Sequence, residues 1–291
     1  MSGFMSSTTA LKIFEAPAKN PDADRLREHG FSPTPGPDGK RVGWVGLGNP
    51  LDLAFDFGID HGRFLAFSLR IDERKPSGAA IKIRLAEAVR DEAAANGGKV
   101  SAKRKKELKE RITDEVTARA DYLPSLVDCI WDLDADRLYV STASESVLNI
   151  LLDLFHRTFG VAPVPVAPGV DMADFFARVF RESVSVNGME IAAGSSVTLV
   201  TPEHQEDRAQ VVVVNNQGAV ATALADGLRI SKMALIATED DQELTFSLAD
   251  DLSIAGLKLP KGEKGDEADA TFLLKADACA RVAAVVEALS K

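Results

Sequence analysis

Lys99-Val100-Ser101-Ala102-Lys103-Arg104-Lys105-Lys106-Glu107-Leu108-Lys109-Glu110-Arg111 is the densest positive stretch of the chain. The chemistry it offers is electrostatic capture of a polyanion, with Lys and Arg meeting phosphates as fixed charges. Residues 70–120 hold 14 Lys+Arg and 9 Asp+Glu, a net of +5, while the remainder, with 20 basic and 35 acidic residues, stands at −15. Screening at physiological salt acts over roughly 8 Å, so this local excess sets the field near the run. The chain total of −10 does not. An acidic body with one basic segment holds a polyanion in one place and repels it elsewhere. The plainer alternative is a solvated helix face whose cations pair with Glu107, Glu110 and Asp114.

Residues suited to catalysis are sparse. Asp132, Asp134 and Asp136 alternate. On a regular strand they would face one way and could hold Mg²⁺, whereas in a hairpin turn Asp is the favoured residue for conformational reasons. Gly46-Leu47-Gly48 follows an apolar stretch, but Asn49-Pro50 stands where a dinucleotide loop continues to its third Gly. His29, His61, His156 and His204 lack metal-ligand spacing, and no Gly-x-Ser-x-Gly or phosphate loop occurs. Cys129 and Cys279 lie among apolar neighbours without paired spacing, as expected of two buried thiols in a reducing cytoplasm. The expectation is a protein without enzymatic chemistry, metal site or cofactor.

Positioning the basic run requires two helices. Asp72-Glu73-Arg74-Lys75-Pro76-Ser77-Gly78 is a turn signal, after which Ile81, Leu85, Ala88 and Val89 recur at helical spacing. Asn96-Gly97-Gly98 ends that helix, and Ser101 is placed to cap a second one bearing Leu108, Ile112, Val116 and Ala120 on one stripe. The pair reads as a projecting arm with the basic run at its tip. Around it, strands are expected at Leu11–Phe14, Arg41–Gly46, Gly62–Arg70, Val127–Leu133 and Arg137–Ser141, with helices at Pro21–His29 and Ser144–Phe159. Farther on come a helix at Asp171–Arg181, a strand at Val197–Val200, a buried strand at Ala209–Val214 and a short helix at Ala219–Ala225. Leu228–Thr238, Glu243–Leu248 and Ile254–Leu259 form a meander. Lys261–Glu267 reads as a loop, Thr271–Lys275 as a strand and Ala278–Leu289 as a helix. Without regular βαβ alternation the class is α+β, antiparallel sheets with flanking helices. The division is 1–70, 71–126 (the arm), 127–170 and 171–291. At 291 residues and 45% apolar content a sizeable core is available, and no apolar run approaches a membrane span. The first residues lack a signal-peptide layout, so the expected location is cytoplasmic.

Gly43-Trp44-Val45, Lys75-Pro76-Ser77 with Ile81-Lys82, Lys105-Lys106-Glu107-Leu108-Lys109-Glu110 and Asp114-Glu115-Val116 occur in an order that resembles the recombination-associated RdgC family. Trp131-Asp132, Ala143-Ser144, Pro163-Val164-Pro165-Val166 and Gly227–Leu235 extend the resemblance over nearly the whole chain. It implies crescent-shaped α+β protomers that close head to head into a ring-like homodimer. Double-stranded DNA passes through the hole without sequence readout, with single-stranded DNA as a further ligand, and RecA-promoted strand exchange is restrained at the nucleoid. Tyr122-Leu123-Pro124-Ser125-Leu126 stands where the family carries a Phe-bearing finger, which makes Tyr122, Leu123 and Leu126 the candidate dimer contacts. Asn215-Asn216-Gln217 stands where the family presents Lys-Lys-Gln toward DNA. The candidate phosphate contacts are Lys75, Lys82, Arg84, Arg90, Lys99, Lys103, Arg104, Lys105, Lys106, Lys109, Gln217, Arg229 and Lys232. Two other readings stay open: an arm that grips an acidic protein, and a metal-dependent nuclease built on Asp132, Asp134 and Asp136.

Overall fold

Strands rich in Val, Ile and Phe build the sheet at the centre of the sequence's α+β pattern. A computed structural model describes residues 3–18, 21–36, 39–201, 210–240, 242–262 and 267–291. Its strands are β1 (Thr8–Glu15), β2 (Arg41–Val45), β3 (Asp60–His61), β4 (Phe64–Arg74), β5 (Tyr122–Asp132), β6 (Arg137–Val140) and β7 (Val164–Pro165). They continue with β8 (Val184–Val186), β9 (Met189–Val200), β10 (Gln210–Val214), β11 (Arg229–Glu239), β12 (Gln242–Ala249) and β13 (Ile254–Lys258). Among the described residues they form one sheet ordered β10-β9-β11-β12-β13-β1-β6-β5-β4-β2, with β3 on β4, β7 on β1 and β8 on β9. The neighbours from β10 through β5 pair antiparallel. Strands in one continuous antiparallel sheet, with helices between them and no βαβ units, make the class α+β.

The chain divides into two units, the first made of 1–30, 44–69 and 126–291 and the second of 31–43 and 70–125. In the first, α4 (Glu145–Phe159) buries Leu148, Leu151, Leu154, Phe155 and Phe159, the spacing of one helix face. It ends at Gly160, whose φ of 69° is the left-handed conformation Gly adopts without strain. Phe155 and Phe159 pack on Trp131 at centroid distances of 5.1 and 5.0 Å. Trp44 and Trp131 stay satisfied in this core because their indole N–H groups donate to Thr158 Oγ1 and to the Ala16 carbonyl. Helices α1 (Asp24–Glu28), α5 (Met172–Arg181), α6 (Gln217–Ala225) and α7 (Ala268–Leu289) complete the unit.

Two local expectations are overturned. Thr271–Lys275 is not a strand but the second turn of α7, which runs unbroken for 22 residues. Phe272, Ala276, Cys279 and Val286 sit buried along that helix. The local β-propensity of Thr-Phe-Leu-Leu loses to helical burial, a tertiary override. The Val-rich segment at 210–214 is not a buried strand: Val212 is 63% exposed, and Val211 and Val214 are exposed with it. Among the described residues it ends the sheet order and pairs only with β9, so one edge and much of both faces lack cover from them. The expected loop at 261–267 and His204 fall partly or wholly outside the described residues. No helix of the described residues is long and apolar enough to cross a membrane.

The second unit contains α2 (Gly78–Ala95) and α3 (Ala102–Arg119), capped by the Ser77 and Ser101 hydroxyls, which accept from the Ala80 and Arg104 amides. Helix α3 buries Leu108, Ile112 and Val116, the expected stripe, whereas Ala120 is its C-cap. Helix α2 buries no residue, and Ile83 is 61% exposed on it.

Candidate nucleic-acid interface

The basic run occupies the start of α3, where sequence alone would not put it for stability. Positive charge in the first turn opposes the helix macrodipole, whose N-terminal end is itself positive. No acidic residue occupies the first turn of α3 to offset it. Lys105 and Lys109 are four residues apart and share one face, while Lys103 and Lys106, three apart, share another. All four are exposed.

Pairing separates these cations. Arg104 Nε lies 2.7 Å from Glu92 on α2, and its Nη1 lies 3.0 Å from Glu107, so it ties the two helices together. The hydrogen bonds to Glu92 and then Glu107 hold the guanidinium above its ordinary pKa. Lys106 sits 3.9 Å from Glu110, and Arg90 pairs with its neighbour Asp91. Among the described residues no carboxylate lies within 4 Å of Lys75, Lys82, Arg84, Lys99, Lys103, Lys105 or Lys109, all exposed. The solvated-face alternative therefore accounts for Arg104, Lys106 and Arg111, and leaves Lys99, Lys103, Lys105 and Lys109 without a carboxylate partner among the described residues.

Gln217, Arg229 and Lys232 belong to the first unit. Gln217 is the exposed first residue of α6, Arg229 the exposed first residue of β11, and Lys232 is half-buried on β11 opposite Ala249 and Thr198. Of the candidate dimer contacts, Leu123 is 52% exposed, Leu126 is half-buried, and Tyr122 is engaged within its own chain. Its hydroxyl donates to the Gly39 carbonyl, while Arg41 and Arg74 lie over its ring at 3.7 and 4.6 Å from the centroid. Neither arginine stands out in the sequence, because residues 41, 74 and 122 meet only through the fold.

The three aspartates at the hairpin do not converge. Asp132 is buried, accepts from the Ala135 amide and the Tyr139 hydroxyl, and lies 3.8 Å from Arg63, whereas Asp134 and Asp136 are exposed turn residues. Burial, with Asp132 beside it, pushes the Tyr139 phenol up. Among the described residues no group of three His, Cys, Asp or Glu could hold a metal ion. Gly46 serves a turn rather than a phosphate: a Cβ there would fall 1.9 Å from Asp52 Oδ2. Burial raises both the Cys129 and Cys279 thiols, which disfavours the nucleophilic thiolate.

A protein-family model described as "Putative exonuclease, RdgC" matches residues 12–289. A comparison with curated proteins finds no match.

Proposed function

This chain belongs to the RdgC family, and from that premise we propose that it is a sequence-nonspecific DNA-binding protein that encircles duplex DNA as a two-fold dimer and restrains RecA-type recombination. The observation that carries the reading is the set of exposed, unneutralised lysines around the start of α3, arranged against the helix macrodipole. A charge arrangement that costs helix stability is accounted for by a polyanion that binds there. Phosphate contacts position a duplex without reading its bases, so unrelated sequences should bind alike. Mobility shift with and without Mg²⁺ tests this: retardation in both conditions is expected. No retardation would favour an arm that grips an acidic protein, and loss of the DNA with Mg²⁺ would favour a nuclease.

We propose a non-enzymatic role despite the description of the family. Asp132 is consumed by the hairpin's own hydrogen bonds, and its two neighbours in the motif point to no shared site. Asp132→Asn, Asp134→Asn and Asp136→Asn combined should leave DNA binding unchanged or slightly tighter, since three repulsive charges are lost. Mg²⁺-dependent degradation by the wild type that disappears in this variant would establish the nuclease instead.

Assembly gives a third expectation. Leu123, and Ile83 on a helix that buries nothing, need apolar cover, and an isologous contact between two copies is the commonest way to supply it. Light scattering at micromolar concentration should give the dimer mass. A monomer mass that persists as concentration rises would rule the dimer out.

A further inference from the structure

Arginine is handled in two ways within the second unit. Arg70 stacks on Phe31 at 3.9 Å and is neutralised by the buried Asp72, with Nε and Nη2 donating to the two carboxylate oxygens at 2.7 and 2.8 Å. That is a structural arginine, its charge and fork both satisfied. Arg41 and Arg74 also stack, both on Tyr122, but neither has a carboxylate within 4 Å among the described residues. Among the described residues their buried Nε groups donate to nothing, and of the two guanidiniums only that of Arg74 reaches an acceptor, the Ala118 carbonyl through Nη1. Beside them Lys40 pairs with Glu73 at 3.3 Å, and among the described residues that carboxylate does not come within 4 Å of Arg41 or Arg74.

Two like charges gathered on one ring without a carboxylate are costly unless an anion reaches their Nη groups. The stacks fix the planes of both guanidiniums before any ligand arrives, which reduces the entropy lost on binding. The ligand that matches planar, forked donors is an oxyanion with several acceptors, such as a phosphate. We propose that Arg41 and Arg74, held by Tyr122, form a phosphate clamp for the backbone of a bound nucleic acid. This rests on the DNA-binding reading and adds to it a site outside the lysine run, built from residues 41, 74 and 122. In the clamp Tyr122 positions the two arginines, and each meets the oxygens of one backbone phosphate.

Fluorescence anisotropy on a labelled duplex across a salt series tests the clamp. Each phosphate neutralised contributes about −0.9 to the log–log salt slope, so Arg41→Gln/Arg74→Gln should flatten it by roughly two units per protomer. Between about 50 and 200 mM salt the wild type should then lose roughly tenfold more affinity than the variant. Arg41→Lys/Arg74→Lys keeps the charges but not the fork or the stack, so the slope should hold while affinity falls. If the Gln pair fails to fold, Arg41→Gln alone, which leaves the Arg74 contact to Ala118 in place, should flatten the slope by about one unit. A wild-type slope in the Gln variants, with the wild type still binding duplex, would mean the stacks are only structural; the DNA-binding reading would survive. If the wild type binds no duplex, that reading fails, and calorimetry with inorganic tripolyphosphate decides the clamp separately. Heat seen with the wild type and lost in the Gln pair retains it, and equal or absent heats overturn it.

Discussion

Replacing Lys103, Arg104, Lys105 and Lys106 together by alanine should flatten the salt dependence of duplex binding by roughly two to three units per protomer, or about twice that when both copies of a dimer engage. The reason is counterion release: each phosphate neutralised frees condensed cations, and affinity falls with salt in proportion to their number. The four residues span just over one helical turn and point in different directions, but long stems let most of them reach one duplex. Arg104 should contribute least, because Glu92 and Glu107 already hold it. Arg104→Ala alone should therefore keep the slope and loosen α2 from α3, seen as faster amide exchange in both helices. Anisotropy on unrelated duplexes provides the measurement, and base composition should hardly matter to wild type or variant. A quadruple variant with the wild-type slope would place the DNA elsewhere and return the run to a solvated face.

Asp128→Ala should cost about 2–6 kcal/mol of folding stability, from two buried donors orphaned at roughly 1–3 each. Asp128 is buried in β5 without a cation among the described residues, and its oxygens accept from the Phe4 amide at 2.8 Å and the Ser68 hydroxyl at 2.6 Å. Ser68 in turn accepts from the Gly48 amide, and Gly3 has no room for a Cβ, which would fall 2.2 Å from Asp128 Oδ2. One side chain thus pins the segment ahead of β1 to the core. Burial raises the Asp128 pKa above its ordinary 3.8, and the bonds from Ser68, Phe4 and Gly48 only partly oppose it. The native state therefore binds this proton more tightly than the unfolded chain does. Its stabilising contribution is full below about 3.8 and is lost as pH rises through the folded-state pKa. Asp128→Asn removes that titration. Urea unfolding of wild type and Asp128→Asn across pH should show their stability difference shifting against the wild type as pH rises from acid. A difference independent of pH would mean that the carboxyl does not change protonation between the two states.

The helices of the second unit were legible because their signals are local. Ser77 and Ser101 as caps, the Asn96-Gly97 break and the 108, 112, 116 stripe all act within a few residues, and each stands where the pattern places it. The same holds for the hairpin at Asp134-Ala135-Asp136 and for the meander of β11, β12 and β13. The errors fell where burial, not local preference, decides. Thr271–Lys275 carries β-forming residues yet is helical because its apolar positions meet the core at helical spacing. The valines of β10 have the composition of an interior strand and the environment of an edge.

For the candidate site, the sequence by itself determined where the positive charge is concentrated, since a charge excess over residues 70–120 is a property of composition. It also determined the family, because motif order survives without knowledge of contacts. Only the tertiary structure decided which cations are paired within the chain. Arg104 is taken up by Glu92, twelve residues away, while Arg41 and Arg74 gather on Tyr122 without a carboxylate among the described residues. Ion pairing and stacking act over a few ångströms between residues far apart in the chain, so neither can be read from spacing along it.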